Sequence, residues 1–356
     1  MKKKEGVFMS EEHEFVQKMS SFDKVKNGVF FHCTTSQGKS IDVQLTVCTP
    51  QILRLQMCPD QTLRNVRGFL EIKEDWPTCS FDVAERPEAV SIDTGAIVLE
   101  ARKDPWKYTI YDKAGEVVLE ENVRDLDAHT NYRSLPVGFT TQAGRFLRSN
   151  ETFNLPPGEN FYGFGEKFTR LNKRGQKIRG FNHNPYGAGT DEVYKHIPFF
   201  MSTKGYGIFV NTTYRITCDM GSQSLMTCTI MVDDPRLDLF IIYGPSLKDV
   251  LACYEEITGW PSLPPKESFG VWHSPRIPQP EERVKTSVEI AKKFRELDIP
   301  VDYFMILRFT TDLAETRELS EGLAKLGVKT GMYVAPLLNV GTEMEKEARA
   351  NGYALK

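Results

Sequence analysis

Four consecutive residues, Phe181 to Asn184, place two amides and an imidazole beside an aromatic ring. Amide and imidazole groups both donate hydrogen bonds to hydroxyl groups and accept them. Asn182, His183 and Asn184 are therefore candidates for contact with a hydroxyl-rich ligand. An ordinary surface loop is the alternative, and these residues alone leave both interpretations open.

The carboxylates of the chain favour structural roles over catalysis. Glu166 and Asp312 fall in connecting segments, where local hydrogen bonds or a helix N-cap account for them. The Asp233-Asp234 pair precedes a proline, which is typical of a solvated turn. Asp302 stands at the N-terminal end of its predicted strand, the end opposite to the active site in parallel α/β barrels. We therefore assign no catalytic residue.

The spacing of histidines and cysteines predicts no metal site. The six histidines and seven cysteines are scattered, without a C-x-x-C pair, and the glycine-rich segments do not form a phosphate loop. We expect neither a metal nor a cofactor. Scattered cysteines are typical of reduced thiols in a cytosolic protein, and the first residues lack the apolar segment of a signal peptide, so we expect a cytoplasmic location.

Charge and hydropathy exclude two classes of partner. The chain has 45 basic and 48 acidic residues and a net charge of −3, so it offers no basic field to nucleic acid or anionic lipid. The sequence contains no apolar run as long as a membrane span. We expect no nucleic-acid partner and no membrane partner.

The first 260 residues or so show the pattern of an antiparallel β-fold. Short β-branched and aromatic segments alternate with turn clusters, which predicts a large β-sandwich. Strands are predicted at 29–35, 41–48, 52–57, 97–102 and 108–112, and later at 197–202, 207–211, 216–219, 225–232 and 237–243. A helix is predicted over 246–258, where apolar residues recur at helical spacing.

A proline-rich connector at 260–265 separates this region from alternating strands and helices. Strands are predicted at 269–274, 301–309 and 328–334, with helices at 281–297 and near 319–326. Thr342 and Glu345 fit a capping box for a third helix, with Gly352 just past its end. Three βα units in succession predict a parallel sheet.

Six short motifs, in order, resemble glycoside hydrolase family 31, and most closely its bacterial α-xylosidase and α-glucosidase branch. They are Phe161-Tyr162-Gly163-Phe164-Gly165-Glu166-Lys167, Phe181-Asn182-His183-Asn184, Tyr194-Lys195-His196-Ile197-Pro198-Phe199, Gly205-Tyr206-Gly207, Leu237-Asp238-Leu239-Phe240-Ile241-Ile242-Tyr243-Gly244-Pro245, and Thr258-Gly259-Trp260-Pro261-Ser262-Leu263-Pro264-Pro265. Ser268-Phe269-Gly270-Val271-Trp272 resembles the first barrel strand of the family.

The resemblance implies fold class β + α/β: a galactose-mutarotase-like β-sandwich followed by a (β/α)8 TIM barrel. The sandwich with its linking helix would occupy residues 1–262, and the barrel residues 263–356. A complete barrel takes about 250 residues, so this second stretch has room for about three of the eight βα units. We therefore expect an incomplete, truncated barrel.

The resemblance also implies an α-glycosidase of carbohydrate metabolism, with an α-linked oligosaccharide, xyloside or glucoside as substrate. Retaining glycosidases need two carboxyl groups about 5–5.5 Å apart. Family members carry the nucleophilic Asp on the fourth barrel strand and the acid near the sixth, beyond the three units expected here. A further family Asp, which binds sugar hydroxyls, falls at Leu307, whose side chain cannot accept a hydrogen bond. We expect the chain alone to be inactive.

Two aromatic side chains of the expected barrel are candidates for substrate binding. Trp272 could line the pocket floor or pack in the core, and Phe309 could stack on a ligand or be buried. In family members, the sandwich loop at the position of the Phe181 motif reaches over the barrel mouth and binds sugar. The family's usual Trp is Phe181 here, and its usual Arg-Asp pair is His183-Asn184.

Other functions stay open beside the α-glycosidase. One is a non-catalytic carbohydrate-binding or regulatory pseudoenzyme, and another is one half of a split enzyme. Aldose mutarotation by the sandwich would need a His and a Glu facing one pocket, and the sequence shows no convincing pair. A barrel fragment would expose strand edges and apolar faces, so we expect a homo-oligomer or a complementing polypeptide.

Overall fold

The computed structural model describes residues 11–59, 70, 72–123, 134–185, 189–277, 282–306, 313–332 and 337–354. The chain divides into two compact units, Met1–Trp260 and Pro261–Lys356. The first unit is built from strands and one helix, and the second alternates strands with helices.

Thirteen antiparallel strands form one large sheet in the described part of the first unit. In spatial order one half contains β12 (Phe161–Gly163), β14 (Phe199–Ser202), β15 (Tyr206–Val210), β18 (Leu237–Tyr243), β4 (Ile52–Met57), β3 (Ser40–Thr49) and β2 (Gly28–Thr35). The other half contains β10 (Gly138–Gln142), β11 (Arg145–Asn154), β17 (Thr227–Val232), β16 (Ile216–Met220) and β13 (Lys177–Gly180). The long strand β1 (Glu11–Val25) joins the halves, since its start pairs with β10 and its remainder with β2.

A second sheet packs on the large one and completes the predicted antiparallel β-sandwich. It contains β5 (Asp82–Glu85), β6 (Ala89–Asp93), β7 (Ile97–Lys103), β8 (Trp106–Asp112) and β9 (Val117–Glu120). The ring of Trp106 on β8 meets that of Phe31 on β2 edge to face, with centroids 5.2 Å apart. Aromatic and aliphatic side chains of both sheets form one continuous core.

Alternating hydrophobicity explains why these strands form where the sequence predicts them. Along β3, Ile41, Val43, Leu45 and Val47 are buried, while the residues between them are half-exposed. This is the two-residue period of a strand with one face in the core. The strands predicted at 29–35, 41–48 and 52–57 are confirmed as β2, β3 and β4.

The strand β1 was not predicted, and its pairing explains why. Its register shifts against β2 between Val16 and Lys18 and again between Met19 and Ser21. Each β-bulge inserts a residue and changes which face the following side chains occupy. Val16 and Met19 are buried three positions apart, so no two-residue period is visible in this charged segment.

The predicted linking helix is confirmed as α1 (Leu247–Thr258). Ser246 caps it: the Ser246 side chain accepts a hydrogen bond from the Asp249 N–H, and the Asp249 side chain accepts one from the Ser246 N–H. This is a capping box. Val250 and Ile257 face the sheet, and Tyr254 stacks on Phe199 with ring centroids 4.0 Å apart. The helix thus covers the outer face of β14, β15 and β18.

In the second unit, three parallel strands alternate with helices in the described residues. They are β19 (Trp272–His273), α2 (Arg283–Glu296), β20 (Tyr303–Ile306), α3 (Leu313–Ala324), β21 (Lys329–Met332) and α4 (Glu343–Ala350). Their apolar core includes Ala291, Val301, Phe304, Leu319, Leu323 and Val328. Half of the capping box predicted for the last helix is confirmed, since the Thr342 side chain accepts a hydrogen bond from the Glu345 backbone N–H. The Glu345 carboxylate accepts its hydrogen bond from the backbone N–H of Gly341 instead of that of Thr342.

The prediction of a strand at 269–274 is wrong for the first half of that segment. Residues Lys266–Phe269 form a 3-10 turn, in which the Ser268 N–H and hydroxyl both bond to the Pro265 carbonyl. The Gly270 N–H then bonds back to the Glu267 carbonyl. These local hydrogen bonds use backbone groups that a strand ladder would need, and only Trp272 and His273 pair with β20.

Candidate functional site

The edge strand β13 carries the first wall of the candidate site. It pairs with β16 and presents Ile178 to the core and Arg179 to solvent. Gly180 ends the strand against the His196 side chain: a Cβ atom there would lie 2.1 Å from Nε2 of His196. Only glycine lets the chain pass so close, and the next residue, Phe181, starts a loop.

We call residues 181–185 and 189–198 the Phe181 loop. Lys167 connects this loop to β13 by hydrogen bonds. The Lys167 ammonium donates to the carbonyls of Arg179 (2.6 Å) and Asp191 (2.7 Å). Burial lowers the pKa of Lys167. The Arg179 guanidinium binds both carboxylate oxygens of Asp191, at 3.2 and 2.6 Å, and these hydrogen bonds lower the pKa of Asp191. Strand and loop are thus joined by two cations.

The two asparagines of the sequence-predicted site hold the loop in shape. The Asn182 carboxamide oxygen accepts a hydrogen bond from the backbone N–H of His196 at 2.8 Å. The Asn184 carboxamide oxygen accepts one from the Tyr194 hydroxyl at 2.6 Å. Both asparagine side chains are exposed, so their amides also face solvent. Each asparagine therefore uses its carboxamide oxygen in a hydrogen bond across the loop, Asn182 with His196 and Asn184 with Tyr194.

His183 faces a cavity of about 250 Å³ lined by Arg179, Phe181, His183, Glu192 and Arg215. The ring of His183 meets that of Phe181 edge to face, with centroids 5.2 Å apart. The Arg215 guanidinium lies 5.7 Å above the Phe181 centroid, a cation–π contact. Of the three predicted loop residues, His183 is the one that lines this cavity.

His196 is a structural residue of the loop. Its ring stacks on Phe164 with 14° between the ring planes, and burial lowers its pKa to about 4. It is therefore neutral at physiological pH. Glu166, also in the family motif, is exposed and forms a surface ion pair with Lys195 at 3.3 Å. Neither residue lines the cavity.

Trp272, the predicted residue of the second unit, lies outside the apolar core. Its indole stacks on Tyr303 with centroids 4.0 Å apart, donates its N–H to the Ser268 carbonyl at 2.9 Å and remains 45% exposed. The neighbouring His273 instead packs on Phe294 of α2. Trp272 therefore points away from the helices. Phe309, Leu307 and Asp312 lie outside the described residues.

Nowhere in the described ranges do three or more His, Cys, Asp or Glu side chains group so as to hold a metal ion. None of the helices described is long and apolar enough to cross a membrane.

A family model described as the glycosyl hydrolase 31 N-terminal galactose mutarotase-like domain matches residues 42–219, half of the chain. The match includes β13 and the whole Phe181 loop. The chain belongs to glycoside hydrolase family 31.

Individual family 31 proteins are similar over more of the chain. The alpha-xylosidase XylQ of Lactiplantibacillus pentosus is 31% identical over 218 residues, which are 58% of this chain and 28% of that protein. The alpha-glucosidase 2 of Bacillus thermoamyloliquefaciens is 27% identical over 345 residues, 92% of this chain and 40% of that protein. The solved structure of a Flavobacterium johnsoniae GH31 dextranase complexed with glucose has a TM-score of 0.80 and 25% identity, and covers 95% of this chain and 41% of that one. The chain thus spans less than half the length of these relatives.

Three residues of the cavity in this family 31 chain were missed from the sequence: Arg179, Glu192 and Arg215. Arg179 precedes the Phe181 motif by two positions, as expected for a side chain on the same face of a strand, and this spacing could have identified it. Arg215 reaches the cavity only because β16, which follows it, pairs with β13. No local sequence pattern indicates that pairing.

A second titratable cluster lies between the two sheets of the family 31 sandwich. The Glu121 carboxylate accepts hydrogen bonds from the N–H groups of Tyr108 (3.2 Å) and Val137 (3.0 Å). Glu151 accepts one from the Thr152 N–H at 2.8 Å. Burial raises the pKa of Glu121 to about 8 and holds that of Glu151 well above its ordinary range. Neither buried acid was predicted from the sequence.

Proposed function

We propose that the chain is the sugar-binding portion of an α-glycosidase that acts on α-linked glucosides or xylosides. The observation that carries this proposal is the family 31 match over the Phe181 loop and its cavity. The relatives named above are an alpha-xylosidase, an alpha-glucosidase and a dextranase, which supports this substrate class.

Each unit is proposed to carry sugar contacts of its own. In the first unit Asn182, His183 and Asn184 bind sugar hydroxyls, and in the second unit Trp272 and Phe309 supply aromatic surface. The exposure of both asparagines and of the Trp272 indole supports these roles. The Asn182 and Asn184 oxygens are engaged within the loop, so their NH2 groups would be the donors.

The second unit is proposed to be the beginning of a (β/α)8 barrel, with residues 1–262 as sandwich and linking helix and 263–356 as the first βα units. Support comes from the parallel strands β19, β20 and β21, each followed by a helix in the described residues. The family's catalytic Asp residues belong to later barrel strands. We therefore propose that these 356 residues alone do not hydrolyse α-glycosides, and that a complementing polypeptide or a second copy covers the second unit.

The isolated chain should release no aryl group from aryl α-glucosides or aryl α-xylosides, measured by absorbance against a buffer blank. Turnover that a single Asp-to-Asn substitution abolishes would contradict this part of the proposal. A cytoplasmic location is also proposed, supported by seven cysteines that form no disulfide bond, five of them buried.

Aldose mutarotation gains one supporting observation as a second candidate function, because His183 and Glu192 line the same cavity. Interconversion of anomers needs a base that removes the proton of the anomeric hydroxyl and an acid that protonates the ring oxygen, after which the opened sugar recloses. Polarimetry of freshly dissolved α-D-glucose tests this. Acceleration that His183→Ala and Glu192→Gln both abolish would support it, and a rate equal to that of buffer would exclude it.

A further inference from the structure

The ring of His196 packs the last part of the Phe181 loop against the sandwich. It stacks on Phe164, which also stacks on Phe200 with ring centroids 5.2 Å apart. On the side of β13, Gly180 leaves space for the ring, because a Cβ atom there would lie 2.1 Å from Nε2 of His196. The ring therefore contacts both the segment around Phe164 and the strand from which the loop starts.

Phe164 is itself held in a strained conformation. Its φ of 68° lies in the left-handed region, which a bulky residue adopts only where its surroundings hold it there. Its N–H donates to the Phe199 carbonyl at 2.8 Å, and its fully buried ring lies against His196 and Phe200. If the His196 ring leaves this stack, Phe164 loses one of the contacts that oppose the strain. The strain therefore favours release of the loop once the stack is broken.

The surroundings of the His196 ring oppose a positive charge on it. Nδ1 and Nε2 are both buried, and neither forms a hydrogen bond of normal geometry to a described residue. Both nitrogens of a protonated imidazole are donors, so protonation in place would leave two buried donors unsatisfied. Burial and the charge of Lys167 lower the pKa of His196 to about 4, and the Phe164 backbone acts in the opposite direction to a smaller extent.

The other charged groups on the elements around His196 do not compensate for its protonation. Glu166 and Lys195 pair with each other at 3.3 Å, and Arg179 pairs with Asp191 at 2.6 Å. Within the part of the chain that the structure describes, no carboxylate lies at hydrogen-bonding distance from the ring nitrogens. The remaining charged residues of β13, β16 and the loop are Lys177, Glu192, Arg215 and Asp219.

We propose that His196 is an acid-sensitive switch of the Phe181 loop: its neutral ring keeps the loop packed on β13, and protonation of the ring by solvent acid releases the loop. The packing contributes fully above pH 6.5, the ordinary pKa of histidine, and is lost as the pH falls towards 4. Release separates the walls of the cavity, because Phe181, His183 and Glu192 belong to the loop and Arg179 to β13. The proposal goes beyond the proposed function and does not depend on what the loop binds.

Hydrogen exchange of the full chain at about pH 7.5 and about pH 5, corrected for the intrinsic effect of pH on exchange, tests the proposal. The reporters are the N–H of His183, which donates to the Val193 carbonyl, and the N–H of Glu166, which donates to the Lys195 carbonyl. Their protection should fall about thirtyfold at the lower pH. This is the change in the opening equilibrium when a histidine pKa is 6.5 in the released loop and about 4 in the packed one.

Two substitutions separate His196 from the other histidines. His196→Phe keeps an aromatic ring beside Phe164 but cannot be protonated, so protection should differ by less than about twofold between the two pH values. His32→Phe is the matched control, because it is the same substitution on β2, where the His32 ring pairs with Asp23 and Asp42. This control should show the full fall in protection.

Equal protection at both pH values in the wild type would overturn the proposal, and so would a fall in protection that His196→Phe retains. If the larger ring in His196→Phe loosens the loop even at the higher pH, an NMR titration of the wild-type histidine rings decides instead. Titration of the His196 ring near pH 4 together with the fall in protection supports the switch, and titration near pH 6.5 overturns it. Sugar is present in neither measurement, so failure of the proposed function would leave both results unchanged.

Discussion

The Tyr108 hydroxyl donates a hydrogen bond of 3.1 Å to Oε2 of Glu151, in the buried space between the two sheets of the sandwich. Glu121 and Glu151 are both fully buried, and the charge of Glu121 adds to the cost of ionising Glu151. Two carboxyl groups in such a site favour protonation because burial penalises the charged form. The stability of the packing between the two sheets therefore depends on pH through Glu121 and Glu151.

The contribution of Glu121 to the free energy of unfolding should fall as the pH rises from about 5 to about 8. The folded chain keeps a proton on Glu121 up to a pKa of about 8, whereas its ordinary value is 4.5, so the folded state binds more protons than the unfolded state in this window. The contribution is fully present below pH 4.5 and is lost through pH 8. Denaturant melts across this pH range should show that the free energy of unfolding declines less in Glu121→Gln than in the wild type. The variant Glu116→Gln, at an exposed position, should show the same decline as the wild type. An unfolding free energy that rises with pH equally in all three proteins would contradict the buried-acid account.

Gly180→Ala should destabilise the sandwich by about 1–3 kcal/mol, the usual cost of overpacking. The new Cβ would lie 2.1 Å from Nε2 of His196 and 2.5 Å from Cγ1 of Ile216. Gly189→Ala is the matched control, because a Cβ there meets no atom within 4 Å. Equal melting temperatures for the two variants would show that the close approach at Gly180 is unimportant.

Lys167→Met should loosen the Phe181 loop without unfolding the sheet. The substitution removes the hydrogen bonds to the carbonyls of Arg179 and Asp191. The His183 N–H, which donates to the Val193 carbonyl, should then exchange with deuterium several-fold faster. Lys195→Met removes only a surface ion pair with Glu166 and should leave the exchange unchanged. Faster exchange in the Lys195 variant alone would contradict this account.

The second unit should drive association of the purified chain. Apolar side chains are exposed there, namely Val271, Trp272, Met332, Leu337 and Val340. Light scattering should give a mass above the 40.6 kDa of one chain, and the double variant Leu337→Asp, Val340→Asp should shift it towards that value. Leu225→Asp, at an exposed site of the first unit, is the control. A monomeric wild type at all concentrations would exclude the second copy proposed to cover this unit.

Most of the sandwich was predictable because its strands obey a two-residue period. The period fails in β1, where two bulges change the facing of side chains. In the second unit, local turn hydrogen bonds replace the first half of the strand predicted at 269–274. The spacing of apolar residues indicates which side chains of one strand share a face. Bulges and turns depend on pairing with distant residues, and the spacing does not indicate that pairing.

The candidate site was predictable only in its local part. His183 was identified from four adjacent residues. Glu192 lies nine positions further on, and Arg215 lies in a different connection, just before β16. These residues lie together because β13 pairs with β16 and because Lys167 donates a hydrogen bond to the Asp191 carbonyl of the loop. For the same reason, the His183 and Glu192 pair that mutarotation would need was not recognised before the fold was known.

We propose that this family 31 chain binds α-linked sugars and does not cleave them. Saturation-transfer NMR of the chain with isomaltose, followed over a day, measures both parts in one sample. The account predicts saturation transfer to isomaltose, reduced in His183→Ala, with no growth of free glucose signals. Release of glucose at a rate that a single Asp-to-Asn substitution abolishes, or the absence of any transfer to isomaltose, would contradict it.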